Sequence, residues 1–416
     1  MRVCIHRGSQ QIGGSCVELE QDGFRLLLDL GLPIDAPSNS RQQLPPSVHG
    51  LDGSDPALLG IFITHPHLDH FGLLAHVSPT IPVGMGAAAR RILAAAAPFL
   101  PGNWPLPASG WSYESGISME VGPFRVTPFL VDHSAFDAYA LMVESGGKRL
   151  LYSGDFRAHG RKSALFDGLV ANPPREIDAL LVEGSSLGRL RDDQRFATES
   201  DVEQQLVTLF AATSGLALVH TSAQNIDRIV SIYRASKRTG RKLVVDLYAA
   251  AVLEATGHSH IPQSDWADIA LFVPQSQRLQ IKKNAWFDLL KRHSMHRVFI
   301  EDLQATPEEF ALLFRPLHQL DLERANCLNG AAYVYSQWEG YWDSGAYDKT
   351  KNWLVRHHIT KHSIHTSGHA SPVDLKVFVA AMAARQVVPI HSFMPEHYPT
   401  LFANVCPHAD AQWWDV

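Results

Sequence analysis

Residues 63–70 read ITHPHLDH and place three histidines and one aspartate within six positions, directly after the apolar run 58–63. Near the end of an extended strand, side chains two residues apart point the same way, so His65 and His67 can reach one metal ion. Asp69 and His70 follow after a bend and can face a second ion. Imidazole nitrogen combined with carboxylate oxygen suits zinc, and less specifically manganese or iron. The stretch therefore predicts a metal centre at a strand end rather than a solvated, histidine-rich turn.

Other apolar runs also end in a residue of metal-binding or acid–base type: His133, Asp155, Glu183 and His391. A hairpin is predicted over residues 11–29, where two apolar segments flank a turn signal, and it ends at Asp29. Functional side chains at the ends of several buried strands are how a layered sheet assembles one site from remote segments. The pattern therefore predicts an α/β protein in which these residues share a site.

The composition of the chain limits its class. At 416 residues with 45% hydrophobic content, it is long enough for two domains or for one domain with a large insertion. A formal net charge of -6 predicts no global basic field, so any site for a polyanion must be local. The four cysteines form no CxxC pair, which argues against a disulfide scaffold or a thiolate zinc site. With no secretory signal and no run of about 18 apolar residues, we expect a cytoplasmic protein without a membrane segment.

The pattern of apolar residues changes after residue 187. Between residues 188 and 362, apolar strand-like runs alternate with segments of helical spacing, which is typical of βαβ units. We therefore predict that 1–187 forms the first part of one domain, that 188–362 forms an inserted domain, and that 363–416 returns to the first domain. Helices are predicted over the alanine-rich stretch 87–97 and over 372–385.

The HxHxDH pattern of His65, His67, Asp69 and His70 resembles the signature of the metallo-β-lactamase superfamily. This resemblance implies an αββα sandwich that binds two Zn²⁺ ions, with Mn²⁺ as the alternative. It implies that Asp29 supports the metal-binding loop and that Asp155 is a carboxylate shared by two cations. The implied ligands are His65, His67, His133 and Asp155 for the first ion, and Asp69, His70, Asp155 and His391 for the second.

Three residues are similar to the extra motifs of the β-CASP nucleases, the branch that contains ribonuclease J and the nuclease subunit of mRNA 3′-end processing: Glu183, His369 and His391. The resemblance implies that residues 188–362 form the inserted α/β lobe of that branch. It also implies that His369, positioned by Glu183, contacts the scissile phosphate and acts as general acid, with Asp69 as a further catalytic residue. Histidine rather than valine at position 391 favours RNA over DNA.

The sequence therefore predicts a metal-dependent ribonuclease that hydrolyses RNA phosphodiester bonds. A nuclease acting on single-stranded DNA is the nearest alternative, and a hydrolase of small esters or cyclic nucleotides is a second. A non-catalytic binding protein is a third, although every expected metal ligand is present. Because the chain ends soon after His391, we expect a compact protein without the additional C-terminal domain that is usual in ribonuclease J. The mode of cleavage and the oligomeric state stay open.

Two local basic clusters are candidate substrate contacts. The first contains Lys237 and Arg238, and the second contains Lys282 and Lys283. The second cluster has aromatic neighbours, as nucleic-acid grooves often do, although a solvated helix face explains both clusters equally well. Ser336 is a weaker candidate for a phosphate contact.

Overall fold

The computed structural model describes residues 1–37, 39–100 and 110–416. Apolar runs of the sequence form its strands, and segments with helical spacing of apolar residues form its helices. The strands are β1 (Arg2–Arg7), β2 (Cys16–Gln21), β3 (Phe24–Leu28), β4 (Leu58–Phe62), β5 (Val83–Gly86), β6 (Ser112–Tyr113), β7 (Met119–Val121), β8 (Phe124–Val131), β9 (Ala138–Ser145), β10 (Lys148–Tyr152), β11 (Ala179–Val182), β12 (Ala217–His220), β13 (Lys242–Val245), β14 (Ile269–Phe272), β15 (Arg297–Val298), β16 (Phe310–Phe314), β17 (Ala332–Tyr335), β18 (Thr360–Ser363), β19 (Gln386–Pro389) and β20 (Trp413–Asp415). The α-helices are α1 (Leu68–Phe71), α2 (Ala87–Ala96), α3 (Ser163–Ala171), α4 (Glu199–Ala212), α5 (Ile226–Arg238), α6 (Leu247–Ala255), α7 (Gln275–Asn284), α8 (Phe287–His293), α9 (Ile300–Ala305), α10 (Gln319–Ala325), α11 (Glu339–Asp343), α12 (Asp348–Arg356), α13 (Pro372–Met382) and α14 (Tyr398–Leu401).

These residues divide into two compact units. The first unit consists of Met1–Phe196 with Gly368–Val416, and the second consists of Ala197–Ser367. Among the described residues, none of the helices has the length and apolar character needed to cross a membrane.

The first unit contains two mixed sheets that pack face to face. One has the strand order β20-β1-β2-β3-β4-β5-β6, and the other has the order β19-β11-β10-β9-β8-β7. Alternate side chains of a strand point to opposite faces of its sheet, and β3 shows the consequence. Leu26 and Leu28 pack into the core between the two sheets, whereas Leu27 packs into an outer cluster with Leu93 of α2.

Helices cover the outer faces of both sheets. On the first sheet, Ile61 of β4 lies in one apolar cluster with Phe71 of α1. On the second sheet, Leu180 of β11 clusters with Phe166 of α3 and Phe378 of α13. Burying an aliphatic or aromatic side chain of this size contributes about 1.5–3 kcal/mol, so these layers hold the unit together. Their order of helix, sheet, sheet and helix is the αββα sandwich that was expected.

The predicted hairpin and alanine-rich helix are both present. Strands β2 and β3 pair antiparallel through a turn at Asp22 and Gly23, whose φ angles are 53° and 81°. Two successive residues of positive φ give the tight turn whose twist matches that of paired strands. Helix α2 covers Ala87–Ala96. The hairpin sets the position of Asp29, which directly follows the end of β3.

The second unit contains one seven-stranded sheet with the order β15-β14-β13-β16-β12-β17-β18. Every adjacent pair in it is parallel. Strands β12 and β16 are buried along their whole length, as expected for a parallel sheet that is covered by helices on both faces. The βαβ rhythm predicted from the sequence is therefore confirmed.

A buried ion pair joins the first two helices of this unit. Nη2 of Arg228 on α5 lies 2.9 Å from Oε1 of Glu199 on α4, and both side chains are at most 1% exposed. The same guanidinium donates to the Ser336 hydroxyl at 2.5 Å. Buried charges persist when they are paired and fully hydrogen-bonded, so this network fixes α4 and α5 against the end of β17.

Candidate metal centre

Six strands of the first unit end one to three residues before a candidate site residue: β3 before Asp29, β4 before His65, β8 before His133, β10 before Asp155, β11 before Glu183 and β19 before His391. Strands β3 and β4 are parallel, as are β10, β11 and β19. The carboxyl ends of parallel strands meet at one edge of a sheet, which is where α/β sheets bind ligands. Helix α1 follows His67 directly and carries Asp69 and His70.

Three histidines form the first ligand group, which consists of His65, His67 and His133. Nδ1 of His67 lies 3.2 Å from Nε2 of His65 and 3.2 Å from Nε2 of His133. Two atoms that bind one ion at about 2.1 Å in a tetrahedron are separated by about 3.4 Å. The spacing of the three nitrogens therefore fits one shared divalent cation.

The second ligand group consists of Asp69, His70, Asp155 and His391. Oδ2 of Asp155 lies 3.2 Å from Nε2 of His70 and 3.6 Å from Nε2 of His391. Oδ2 of Asp69 lies 3.7 Å from the same nitrogen of His391. Oδ2 of Asp155 is also 3.7 Å from Nε2 of His65. Asp155 therefore lies between the two groups and can share its carboxylate between two cations.

Buried ligand atoms without hydrogen bonds support this fit. Within residues 1–37, 39–100 and 110–416, Nε2 of His70, Nε2 of His391 and both carboxylate oxygens of Asp155 are buried and have no hydrogen-bond partner. Leaving one such polar atom buried and unsatisfied costs about 1–3 kcal/mol. A cation at the second ligand group would satisfy all of them. The donor set of nitrogen and carboxylate oxygen thus fits divalent metal binding.

Asp29 orients one of these imidazoles. Its Oδ2 accepts hydrogen bonds from Nδ1 of His70 at 2.7 Å and from the hydroxyl of Tyr152 at 2.9 Å, while its Oδ1 accepts from the backbone N–H of Thr64 at 2.7 Å. This hydrogen bond would keep a proton on Nδ1 of His70 when a cation displaces the proton of Nε2, which is the arrangement a metal ligand needs. Asp29 has a left-handed backbone, with φ of 59°. Such strain is often retained at functional sites.

Burial keeps the first ligand group neutral. It lowers the pKa of His65 and of His133 well below the ordinary range, and each is further lowered by neighbouring imidazoles. Burial also lowers the pKa of His67 to about 4, although Asp69 and Asp155 act in the opposite direction. Neutral imidazole is the form that binds metals, so this group is ready to bind a cation at neutral pH.

The second ligand group carries charge instead. Burial opposes ionisation of Asp155, but His391 and His70 hold the pKa of its carboxyl well below the usual range. Burial likewise opposes protonation of His70, but the carboxylates of Asp155 and Asp29 raise its pKa well above the ordinary value. The excess of carboxylate around one imidazole is the charge pattern that a bound cation would neutralise.

Glu183 and His369 form a pair beside Asp155. Nδ1 of His369 lies 3.0 Å from Oε2 of Glu183 and 3.6 Å from Oδ2 of Asp155. The other oxygen of Glu183 accepts the backbone N–H of Phe156 at 3.0 Å, which fixes the carboxylate. Burial opposes protonation of His369, yet Glu183 and Asp155 raise its pKa to about 9. At neutral pH this imidazole is therefore cationic.

The four basic candidates for substrate contacts and Ser336 all lie in the second unit, and three of these five side chains already contact other residues of that unit. Lys237 Nζ is 3.0 Å from Oδ2 of Asp268, and Arg238 Nη1 is 3.1 Å from Oε1 of Glu203. Ser336 is 1% exposed, and its hydroxyl donates to the carbonyl of Ile364 at 2.6 Å. The two remaining candidates lie exposed near the end of α7: Lys282 and Lys283.

Sequence reasoning did not identify three supporting residues: Ser15, Thr64 and Tyr152. The Ser15 hydroxyl lies 2.9 Å from Nδ1 of His391, across 376 positions of sequence. Thr64 and Tyr152 contact Asp29 as described above. A signal was available for Tyr152, because its hydroxyl directly follows the apolar pair Leu150 and Leu151 at the end of β10.

A family profile described as the metallo-beta-lactamase superfamily matches residues 11–172. The matched segment contains Asp29, the HxHxDH stretch, His133 and Asp155, which are the residues that the geometry brings together. Over this segment, which is less than half of its 416 residues, the chain is similar to the metallo-β-lactamase superfamily. The match ends before Glu183, so the residues that follow depend on other comparisons.

Similar proteins extend the superfamily match. The chain is 25% identical to ribonuclease J of Sinorhizobium meliloti over 225 residues, covering 53% of this chain and 39% of that protein. It is 26% identical to ribonuclease J of Mycobacterium tuberculosis over 287 residues, covering 65% of this chain and 49% of that protein. The chain thus spans less than half the length of either relative. The predicted resemblance to the superfamily and to its ribonuclease J branch is confirmed.

A solved structure shows the same fold over nearly the whole chain. It is the crystal structure of a protein of unknown function from Enterococcus faecalis V583, which has a TM-score of 0.77, 19% sequence identity and coverage of 99% of both chains. At this identity the likeness concerns the fold alone.

Proposed function

We propose that this protein is a metal-dependent ribonuclease that hydrolyses RNA phosphodiester bonds at the two ligand groups of its first unit. The observation that carries the proposal is the contact between His369 and Glu183, 3.0 Å long, at the edge of the shared carboxylate of Asp155. It places a cationic imidazole beside a donor set for divalent cations. A hydrolase of phosphodiesters needs that combination, because the leaving oxygen must receive a proton while charge builds up on phosphorus.

The proposed metal ligands follow the two groups. His65, His67 and His133 would hold one cation and Asp69, His70 and His391 the other, with Asp155 shared between them. Zn²⁺ is the expected ion and Mn²⁺ the alternative. When bound, the cations would acidify a water molecule and offset the negative charge of the phosphate.

Side chains of the protein accept and donate the protons of the proposed reaction. Asp69 is the more exposed carboxylate of the second group, with 23% of its side chain exposed against 1% for Asp155. We assign to it the acceptance of a proton from the attacking water. Glu183 holds Nδ1 of His369, so the proton to be donated is carried on Nε2. His369 then protonates the leaving oxygen and becomes neutral. The ring takes up a new proton from water, which the carboxylate of Glu183 favours because it stabilises the imidazolium.

RNA is the proposed substrate on two grounds. Two of the relatives described above are ribonuclease J proteins, and histidine at position 391 matches the RNA-processing members of the β-CASP branch. We further propose that the all-parallel second unit is the inserted β-CASP domain and that Lys282 and Lys283 contact phosphates there. Lys237 and Arg238 remain secondary candidates, because both already pair with acidic side chains. Ser336 receives no substrate role, since its hydroxyl is buried and occupied.

The cytoplasm is the proposed setting of this activity. All four cysteines are free: Cys4, Cys16, Cys327 and Cys406. Free thiols are usual in the reducing environment of the cytosol, where RNA substrates are also found.

A cleavage assay tests the proposed function. Purified protein with Zn²⁺ or Mn²⁺ is incubated with single-stranded RNA labelled at either end, carrying a 5′-monophosphate or a 5′-hydroxyl, and the products are resolved on denaturing gels. Matched single-stranded DNA and a cyclic nucleotide serve as alternative substrates. We expect metal-dependent loss of RNA, and the fragment sizes will separate single-nucleotide release from internal cleavage.

Two variants control the assay. His67→Ala removes a member of the first ligand group and should abolish cleavage. His258→Ala removes an exposed histidine of the second unit and should leave cleavage unchanged. Cleavage of DNA alone would favour the DNA nuclease, and turnover of the cyclic nucleotide alone would favour a small-substrate hydrolase. Either result would overturn the proposed substrate.

A further inference from the structure

A turn built from two glycines brings Ser15 against the second ligand group. Gly13 and Gly14 both have left-handed backbones, with φ of 84° and 69°, a conformation that is unfavourable for residues with a side chain. A Cβ on Gly13 would also lie 3.2 Å from Cβ of Asp69 and 2.6 Å from Cγ1 of Ile34. The turn can approach Asp69 this closely because position 13 lacks a side chain. Ser15 follows the turn and is fully buried, at 0% exposure.

Ser15 contacts two members of the second ligand group at once. Its hydroxyl lies 2.9 Å from Nδ1 of His391, and its backbone N–H donates to the carbonyl of Asp69 at 3.1 Å. The backbone of His391 is held separately, because its N–H donates to the carbonyl of Gly8 at 2.7 Å and its φ is 53°. The contacts at Nδ1 therefore act on the imidazole ring itself.

The partners of Nδ1 influence which ring nitrogen of His391 carries the proton. When Nε2 binds a cation, the proton of the neutral ring is on Nδ1 and needs an acceptor. The backbone N–H of Gly13 donates a long hydrogen bond of 3.4 Å to Nδ1, and this contact by itself favours a lone pair on Nδ1 because a backbone N–H can only donate. A serine hydroxyl can accept as well as donate. Without the Ser15 hydroxyl, Nδ1 would face a donor, and this favours the tautomer in which the proton occupies Nε2.

We infer that Ser15 is a positioning residue for the second divalent cation. Its hydroxyl holds His391 in the tautomer and orientation that present Nε2 to the cation, and its backbone fixes Asp69. Nε2 of His391 lies 3.7 Å from Oδ2 of Asp69 and 3.6 Å from Oδ2 of Asp155. The inference rests on the proposed metal centre, and it makes binding of the second ion depend on a residue that is not itself a ligand.

Metal binding measured without RNA tests the role of Ser15. The Ser15→Ala protein is stripped with a chelator and titrated with Zn²⁺ or Co²⁺, and bound ions are counted by elemental mass spectrometry at fixed free-metal concentrations. Removing the hydrogen-bond partner of a metal-binding histidine weakens metal affinity by about 10- to 100-fold. We expect the first ion to bind as in the parent and the second to bind more weakly by that factor. The visible absorption of the Co²⁺ protein should lose the contribution of the second site over the same range.

Ser145→Ala is the matched control. Ser145 is buried in the same unit, and its hydroxyl donates to the carbonyl of Pro123 at 2.7 Å. Ser145 is the last residue of β9. Ala138, at the other end of this strand, pairs with Val131, which precedes His133 by two residues. Its removal should change neither ion. Thermal unfolding of the metal-free proteins shows whether each variant is folded.

A second pair of variants covers the case in which Ser15→Ala does not fold. Ser15→Thr and Ser15→Val have the same shape and differ in the hydroxyl, so the threonine should bind the second ion at least 10-fold more tightly than the valine. Equal affinity of this pair, or parent-like binding of both ions by folded Ser15→Ala, would overturn the inference and leave the proposed function standing. A parent protein that binds no divalent cation would overturn both.

Discussion

Nδ1 of His369 lies 3.0 Å from Oε2 of Glu183, and this contact sets the charge of the imidazole. Burial disfavours the cation, but Glu183 and Asp155 raise the pKa of His369 to about 9. The residue is therefore protonated at neutral pH and suited to donate a proton, whereas His65, His67 and His133 are kept neutral by burial and suited to bind a metal. One site thus contains histidines in two opposite protonation states, each fixed by its neighbours.

Replacing Glu183 with glutamine should shift the pH dependence of turnover. The variant keeps the size of the side chain but loses its charge, so the pKa of His369 should fall from about 9 toward the ordinary value of about 6.5. The acid form is then lost at a lower pH, and kcat at pH 8 should drop much more than kcat at pH 6. Profiles of kcat against pH, measured at saturating metal, check this. An alkaline limb that stays at its original pH would exclude the role of Glu183.

Replacing His369 with alanine should separate catalysis from metal binding. Loss of a general acid lowers turnover by about 10²- to 10⁴-fold, whereas the bound metal should be nearly unchanged because the two ligand groups are intact. Metal content and kcat are measured on the same preparation, with His258→Ala as the control for loss of an exposed histidine. Parent-like turnover would rule out His369 as the acid.

Asp155 should matter for both cations, because its Oδ2 faces histidines of both groups. Asp155→Ala is expected to weaken both ions, and His133→Ala is expected to weaken the first ion alone. Elemental analysis after equilibration at a fixed free-metal concentration distinguishes the two outcomes. If Asp155→Ala lost one ion and kept the other at the affinity of the parent, the shared carboxylate would be disproved.

The buried pair of Arg228 and Glu199 should dominate the local stability of the second unit. Removing one partner of a buried ion pair costs about 3–5 kcal/mol, so Arg228→Met should strongly lower the free energy of unfolding measured in denaturant. Lys237→Met, which breaks an exposed pair with Asp268, should have little effect. Adding Glu199→Leu to Arg228→Met should recover part of the loss, because no buried charge then lacks a partner. Additive losses would argue against the pairing.

Much of the site was predictable because its residues end apolar runs. The run before His65 becomes β4 and the run before Glu183 becomes β11, and a strand fixes where the next side chain lies. The ends of helices were harder to predict where a residue leaves the helical backbone conformation. The helix predicted over 372–385 ends at Met382, since Ala383 adopts a left-handed conformation with φ of 46°.

The supporting residues were not predictable because their contacts join distant segments. Ser15 and His391 are 376 positions apart, and neither neighbourhood indicates the other. The same holds in the second unit for Ser336, which was a weak candidate for a phosphate contact but is enclosed by Arg228 and the carbonyl of Ile364. Local patterns predict elements and their ends, whereas such cross-chain hydrogen bonds arise only when the sheets are assembled.

Cleavage in water enriched in ¹⁸O tests the central claim most directly. If the protein activates water against phosphorus, RNA cleaved in H₂¹⁸O should carry one ¹⁸O atom on each newly formed terminal phosphate. The labelled product should require divalent metal and should be absent with His67→Ala. Mass spectrometry of the fragments provides the readout. Fragments that end in an unlabelled 2′,3′-cyclic phosphate, or RNA that stays intact with both Zn²⁺ and Mn²⁺, would contradict metal-dependent hydrolysis at this site.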